Sequence, residues 1–140
     1  MGELSRKVAV SVLVDTNFFF IPARFGVDIF TGIGGLLEVP ARLIVTTPVF
    51  EELKSLSADE SPSRSREAAF ALALSNRCDV LDLPLASGET VDDSLLRVAK
   101  ENGFYVATTD AQLRRRCRGE EVPVIFLRQR SHLALDGLKP

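Results

Sequence analysis

Four carboxylates sit at positions where an apolar strand should end or a helix should begin. They are Asp15 in Val-Leu-Val-Asp-Thr-Asn, Glu52 in Phe-Glu-Glu-Leu, Asp93 in Val-Asp-Asp-Ser-Leu-Leu and Asp110 in Val-Ala-Thr-Thr-Asp. A carboxylate beside an apolar strand loses hydration and needs compensation. Brought within a few ångströms, four of them repel one another and raise one another's pKa. One hard divalent cation, Mg²⁺ or Mn²⁺, relieves all four through oxygen ligands. Such a centre activates water and stabilises charge developing on a phosphodiester. Thr16, Asn17 and Thr109 flank the acids. Their polar groups are placed to hydrogen-bond the carboxylates or a substrate phosphate.

Each acid alone has an ordinary explanation. Asp15 and Asp110 are good turn or cap residues, and Glu52 and Asp93 carry charge that a helix N-terminus favours. It is the set of four at one edge that calls for a shared cation. Two acids belong to doublets, Glu51-Glu52 and Asp92-Asp93. Glu52 lies one turn from both Val49 and Leu56, so it borders a packed face. Helical geometry does not choose between Asp92 and Asp93.

The elements that must position these residues alternate. Apolar runs at Val8–Val14, Arg42–Thr46, Asp79–Leu83, Phe104–Thr108 and Val122–Leu127 predict five strands. Between them, Asn17–Glu38 predicts one or two short helices broken near Pro22–Gly26. Thr47-Pro48 predicts a helix start with threonine as N-cap. Further helices are expected at about Arg64–Asn76, from Thr90 as N-cap to a stop at Gly103, and at Ala111–Arg118. Strands alternating with helices, and strands apolar throughout, predict an α/β fold with a parallel sheet covered on both faces. In such sheets sites form beyond the carboxyl ends of the strands. Helices that follow strands begin on that same side, so all four acids can meet there.

Composition narrows the field. The 140 residues are 46% hydrophobic and 26% charged, the balance of a globular chain, and the length suits one domain, 1–140. No apolar run reaches the ~20 residues of a membrane span. The first residues lack the pattern of a signal peptide, so a cytoplasmic protein is expected. Cys78 and Cys117 match no zinc spacing, and reduced thiols are expected. His132 is the only histidine, which excludes a His-based zinc site. Net charge is −2, yet Arg114, Arg115, Arg116 and Arg118 form a basic run just after Asp110. Arginine suits bidentate phosphate contacts. Phe18, Phe19 and Phe20 suit core packing better than base stacking. A phospho-accepting receiver domain also places acids at strand ends, but it needs a lysine at the end of its last strand, where this chain has Leu127-Arg128.

These motifs resemble the PIN-domain ribonucleases. Asp15-Thr-Asn, Glu52-Leu53, Asp93 followed by Leu95-Leu96, and Thr108-Thr-Asp110 with Leu113 match the family's acidic positions in order. On that resemblance Asp93 is preferred to Asp92. The stretches Asp15–Phe30, Phe104–Arg116 and Val-Ile-Phe-Leu-Arg-Gln-Arg130 are similar to archaeal short PIN proteins. Those are in turn similar to PIN nucleases of small-subunit ribosomal RNA processing, and are often labelled VapC-type toxins. The resemblance implies a three-layer α/β/α, flavodoxin-like fold with a central parallel sheet of about five strands. It implies a Mg²⁺- or Mn²⁺-dependent endoribonuclease with Asp15, Glu52, Asp93 and Asp110 as catalytic metal ligands. The basic run would then hold RNA, pre-rRNA in the processing case. A homodimer is a frequent form in the family, and a toxin would have an antitoxin partner. The reading from another class is a PIN-fold RNA-binding or scaffold protein without activity.

Overall fold

A computed structural model describes residues 9–137. Strand β1 (Val10–Val14) leads into a 3₁₀ turn (Thr16–Phe20), α1 (Ile21–Phe25) and α2 (Ile29–Leu37). Then come β2 (Ala41–Thr46), α3 (Thr47–Ser57), α4 (Pro62–Ser75), β3 (Asp79–Leu81), α5 (Val91–Asn102) and β4 (Tyr105–Ala107). The chain continues through α6 (Ala111–Gly119), β5 (Val124–Arg128) and β6 (His132–Asp136). Val8, the first residue of the first expected strand, lies outside the described residues.

The sheet has six strands in the order β3-β2-β1-β4-β5-β6. The first five are parallel, and β6 runs antiparallel to β5. Strand β1 is central because both of its faces are apolar; Val12, Leu13 and Val14 are fully buried. Helices α2 and α3 pack on β2, while α5 packs on β4 and α6 on β5. The expected three-layer α/β/α arrangement is therefore present. From β1 the chain winds outward through β2 to β3, then crosses back to β4 on the other side of β1. That reversal opens a crevice beyond the carboxyl ends of β1 and β4, the usual ligand position in such sheets.

The break expected near Pro22–Gly26 is present, and two other local expectations change. Pro22 does not interrupt a helix; it sits in the first turn of α1, where a missing N–H costs nothing. The break falls at Gly26, whose φ of 67° closes α1 in the left-handed region. The N-cap of α3 is Thr46, not Thr47, so proline occupies the second helical position. Strand β6 was not expected. Its hairpin turns at Gln129 and Arg130, with φ of 53° and 58°, without the Asn-Gly or Asp-Gly pair that signals such a turn. Helix α2 reaches β6 closely: a Cβ at Gly32 would lie 2.8 Å from Leu133 Cδ1. Phe18 and Phe19 are fully buried in the core. Cys78 and Cys117 are free and buried, and burial pushes their thiols up to about 12 and about 11. Among the described residues no single helix is long and apolar enough to cross a membrane.

Candidate active site

Asp15 is the first residue past β1, and its N–H still donates to the Ala107 carbonyl of β4 at 2.9 Å. The sheet register thus fixes its place at the reversal point. Only 4% of it is exposed. Its Oδ1 accepts from the Thr16 N–H at 2.8 Å, capping the 3₁₀ turn. Its Oδ2 accepts from the Thr108 hydroxyl at 2.8 Å. The Thr108 Oγ1 in turn accepts from the Asp110 N–H at 3.0 Å. One buried hydroxyl therefore ties the acid after β1 to the acid after β4. Asp110 caps α6, its Oδ1 accepting from Gln112 N at 2.7 Å and Leu113 N at 3.3 Å.

Glu52 enters from α3. Val49 and Leu53 are buried on the packed face of that helix, which leaves Glu52 beside it, and Oε1 accepts the Thr16 hydroxyl. Its neighbour Glu51 lies on the solvent side, 4.0 Å from Lys54. Asn17 Oδ1 accepts from the Thr109 N–H at 3.1 Å. Of the flanking polar residues, Thr16 reaches a carboxylate and Asn17 braces the loop after β4. Thr109 does so only through its backbone, and the hydroxyl on Asp15 belongs to Thr108.

The structure places Asp93, the acid preferred on the resemblance, in the cap of α5 and not on the acidic cavity. Thr90 caps α5, and Asp93 is the third residue of a capping box: its Oδ2 accepts from Thr90 N at 3.0 Å, and Thr90 Oγ1 accepts from Asp93 N at 3.1 Å. Its Oδ1 takes Arg116 at 2.8 Å. Both oxygens are thus committed, and these bonds hold the Asp93 carboxyl below its usual range. Asp92, one step round the helix, lines the cavity instead. The capping-box spacing, Thr90-x-x-Asp93, was the sequence signal that distinguishes the two.

Asp15, Glu52, Asp92 and Asp110 line one cavity of about 410 Å³. The hairpin of α3 and α4 closes its far side with Leu56, Asp59, Arg64, Glu67 and Ala68, and Arg24 of α1 joins them. None of these far-side residues carried a recognisable motif. Burial pushes the Asp15 carboxyl up to about 6, with the Asp92 and Glu52 charges adding to the rise and the Thr108 and Thr16 hydrogen bonds opposing it. Burial also raises Asp92, helped by Asp110 and Glu52 against Arg116. The site therefore holds negative charge that its own residues only partly offset. Carboxylate oxygens are the donors that Mg²⁺ and Mn²⁺ prefer, so the donor set fits such a cation in kind and in charge. Among the described residues no three Asp, Glu, His or Cys side chains are already gathered tightly enough to hold one.

Of the basic run, three members are engaged within the protein. Arg114 and Arg118 reach Asp136 at 3.3 and 3.1 Å, and Arg116 reaches Asp93. Arg115 is exposed and has no ion-pair partner among the described residues.

Residues 12–130 match the model of the PIN-like domain family, and the chain belongs to that family. It is 25% identical over 128 residues to Ribonuclease VapC4 of Methanocaldococcus jannaschii, covering 91% of this chain and 97% of that one. It is 28% identical over 135 residues to Ribonuclease VapC9 of Archaeoglobus fulgidus, covering 96% and 94%. Among solved structures, the PIN domain endonuclease Utp24 superposes with a TM-score of 0.75 at 22% identity, over 92% of both chains. VapBC2 from Rickettsia felis, bound to a DNA fragment from its promoter, matches with a TM-score of 0.54 at 13% identity, covering 76% of this chain and 92% of that one.

Proposed function

We propose that the protein is a metal-dependent endoribonuclease that hydrolyses RNA phosphodiester bonds in the acidic cavity. The observation that carries this reading is the convergence of Asp15, Glu52, Asp92 and Asp110 on one cavity, with Asp15 and Asp92 driven up by burial and by neighbouring carboxylates. Family membership and the two relatives named ribonucleases support it. Asp15, Glu52, Asp92 and Asp110 would hold Mg²⁺ or Mn²⁺. When bound, such an ion lowers the pKa of water and offsets charge on the phosphate. Thr108 keeps the Asp15 carboxylate turned to the cavity and fixes the loop that carries Asp110. Thr16 does the same for Glu52. Arg24 and Arg64 stand on the cavity wall, where a phosphate would meet them. Asp93 is a structural cap in this reading.

The RNA proposed is precursor ribosomal RNA, on the resemblance of Asp15–Phe30 and Phe104–Arg116 to the archaeal short PIN proteins. The names of the two relatives favour a second reading, a VapC-type toxin held by an antitoxin. A cytoplasmic location, one domain over 1–140 and a homodimer belong to both readings. The test is cleavage of structured RNA with Mg²⁺, Mn²⁺ or EDTA by wild type, Asp15→Asn and Asp110→Asn. Cutting that needs the metal and both acids is the expected result. Equal cutting by the variants would point to a contaminant, and RNA binding without cutting to an inactive scaffold. Growth arrest on expression alone, reversed by a neighbouring small gene, would select the toxin; uncut precursor RNA on depletion would select processing.

A further inference from the structure

A second cavity, of about 330 Å³, adjoins the acidic one and shares Asn17, Phe20 and Arg24 with it. Its character is different: no carboxylate lines it. Phe25, 40% exposed at the end of α1, forms its rim. Phe126 and Leu127 of β5 and Arg114 of α6 form another wall. The Arg114 guanidinium lies over the Phe126 ring, 3.5 Å from its centroid, and Arg24 lies 4.6 Å over Phe20. Flat aromatic and guanidinium surfaces beside a charged backbone path are the means by which proteins hold single-stranded bases. The volume is at the small end of ligand pockets, enough for one nucleotide-sized group.

We infer that this cavity seats one base of single-stranded RNA, stacked against Phe25, next to the phosphate that enters the acidic cavity. The inference rests on the nuclease reading for the identity of that phosphate. Arg24 belongs to both cavities, so it lies on the path between base and phosphate. Its ion pair with Glu67, at 3.2 Å and exposed, is of the kind that yields readily to a competing anion. Asn17 holds the Thr109 N–H through Oδ1 and commits its Nδ2 to no described residue, leaving an amide donor for a base edge. Selection of unpaired RNA follows, because a base in a duplex cannot enter.

The test compares binding of a short fluorescent single-stranded RNA with an abasic strand of equal length and charge. Ca²⁺ replaces Mg²⁺ so that the strand remains whole. Wild type should prefer the strand with bases by on the order of tenfold, the worth of one base–aromatic stack. Phe25→Ala, at a half-exposed position, should keep the wild-type circular dichroism spectrum and erase that preference. A preference that survives in Phe25→Ala, or is absent in wild type, overturns the pocket even if the protein cuts RNA. A preference lost in Phe25→Ala while wild type cuts nothing with Mn²⁺ upholds the pocket and removes the nuclease reading. Absence of RNA binding removes both.

Discussion

The acidic cavity has an inner and an outer wall, built on opposite principles. The inner wall stands on the sheet. Asp15 and Thr108 are buried, their places set by the pairing of β1 with β4, and their polar atoms are tied to one another. The outer wall comes from the α3–α4 hairpin and α1, and its charged side chains are exposed or half-buried: Glu52 and Arg64 exposed, Asp59 half-buried, and Arg24 paired to Glu67. The inner wall holds charge against burial, which is why Asp15 titrates near 6. Exposed pairs on the outer wall contribute little to stability and are free to exchange partners when RNA arrives. Rigid placement of the groups nearest the chemistry, with adaptable groups around them, is what preorganised catalysis requires.

The sharpest way to break this comparison is Asp15→Asn. Cleavage should fall by about a hundredfold to a thousandfold, the scale for removing one group that stabilises transition-state charge. Stability should move the other way. Below about 4 the Asp15 carboxyl is protonated both folded and unfolded, and above about 6 it is ionised in both. Between these values the folded chain keeps a proton that the unfolded chain has released. The metal-free wild type should therefore lose stability as pH rises through that window, by at most about 3 kcal/mol. Asp15→Asn should flatten that dependence and melt higher at pH 7. Denaturant unfolding in EDTA across pH checks this; an unchanged profile would show that the inner wall bears no such burden.

Next comes the doublet. Asp92→Asn should cost roughly as much cleavage as any other acid of the cavity, about a hundredfold, with little change in melting temperature. Asp93→Asn should leave cleavage near wild type and lower the melting temperature through loss of the capping box. Thr90→Ala should do the same, by about 1 kcal/mol. Parallel cleavage assays and thermal melts separate the two, and the opposite pattern would return Asp93 to the site.

How far the chain could be read in advance follows from the same division. Asp15 and Asp110 were legible because a β-branched run ending in an acid marks both strand and edge. Glu52 was legible from its distance to Val49 and Leu56, although of these only Val49 is buried. The choice within Asp92-Asp93 was not legible from family order, because the capping box that holds Asp93 back to Thr90 depends on where α5 begins. The outer wall was illegible: Arg24, Asp59, Arg64 and Glu67 converge only after α3 and α4 fold back on each other, and no local period records that. Strand β6 was illegible for a different reason. Its turn forces Gln129 and Arg130 into left-handed backbone, a conformation these residues do not advertise, and the strand is held by its antiparallel pairing with β5 and the close approach of Leu133 to Gly32.

A smaller effect probes the link inside the inner wall. Thr108→Val keeps the shape of the side chain but leaves the Asp110 N–H and an Asp15 oxygen without their partner. Stability should drop by about 1–3 kcal/mol and cleavage by about tenfold to a hundredfold, the scale for groups that orient metal ligands. Thr109→Val, at an exposed residue whose side chain makes none of these bonds, should change neither. Equal effects of the two would mean that the loop, not the buried hydroxyl, orients the acids.

The smallest expected effect lies outside both walls, on α6. Arg115 has no internal partner among the described residues, whereas Arg116 is held by Asp93 at 2.8 Å. If the helix meets the RNA backbone, Arg115→Ala should weaken binding to all sequences alike and lower the slope of log K against log salt by about 0.7, one phosphate contact on a single strand. Arg116→Ala should lower it less, because its charge is already partly offset by a carboxylate that would be left exposed and repelling. Titrations of fluorescent RNA at several salt concentrations measure both slopes. Equal slopes for wild type and Arg115→Ala would confine RNA contact to the cavities, and the basic helix would then be a solvated face whose arginines serve Asp93 and Asp136.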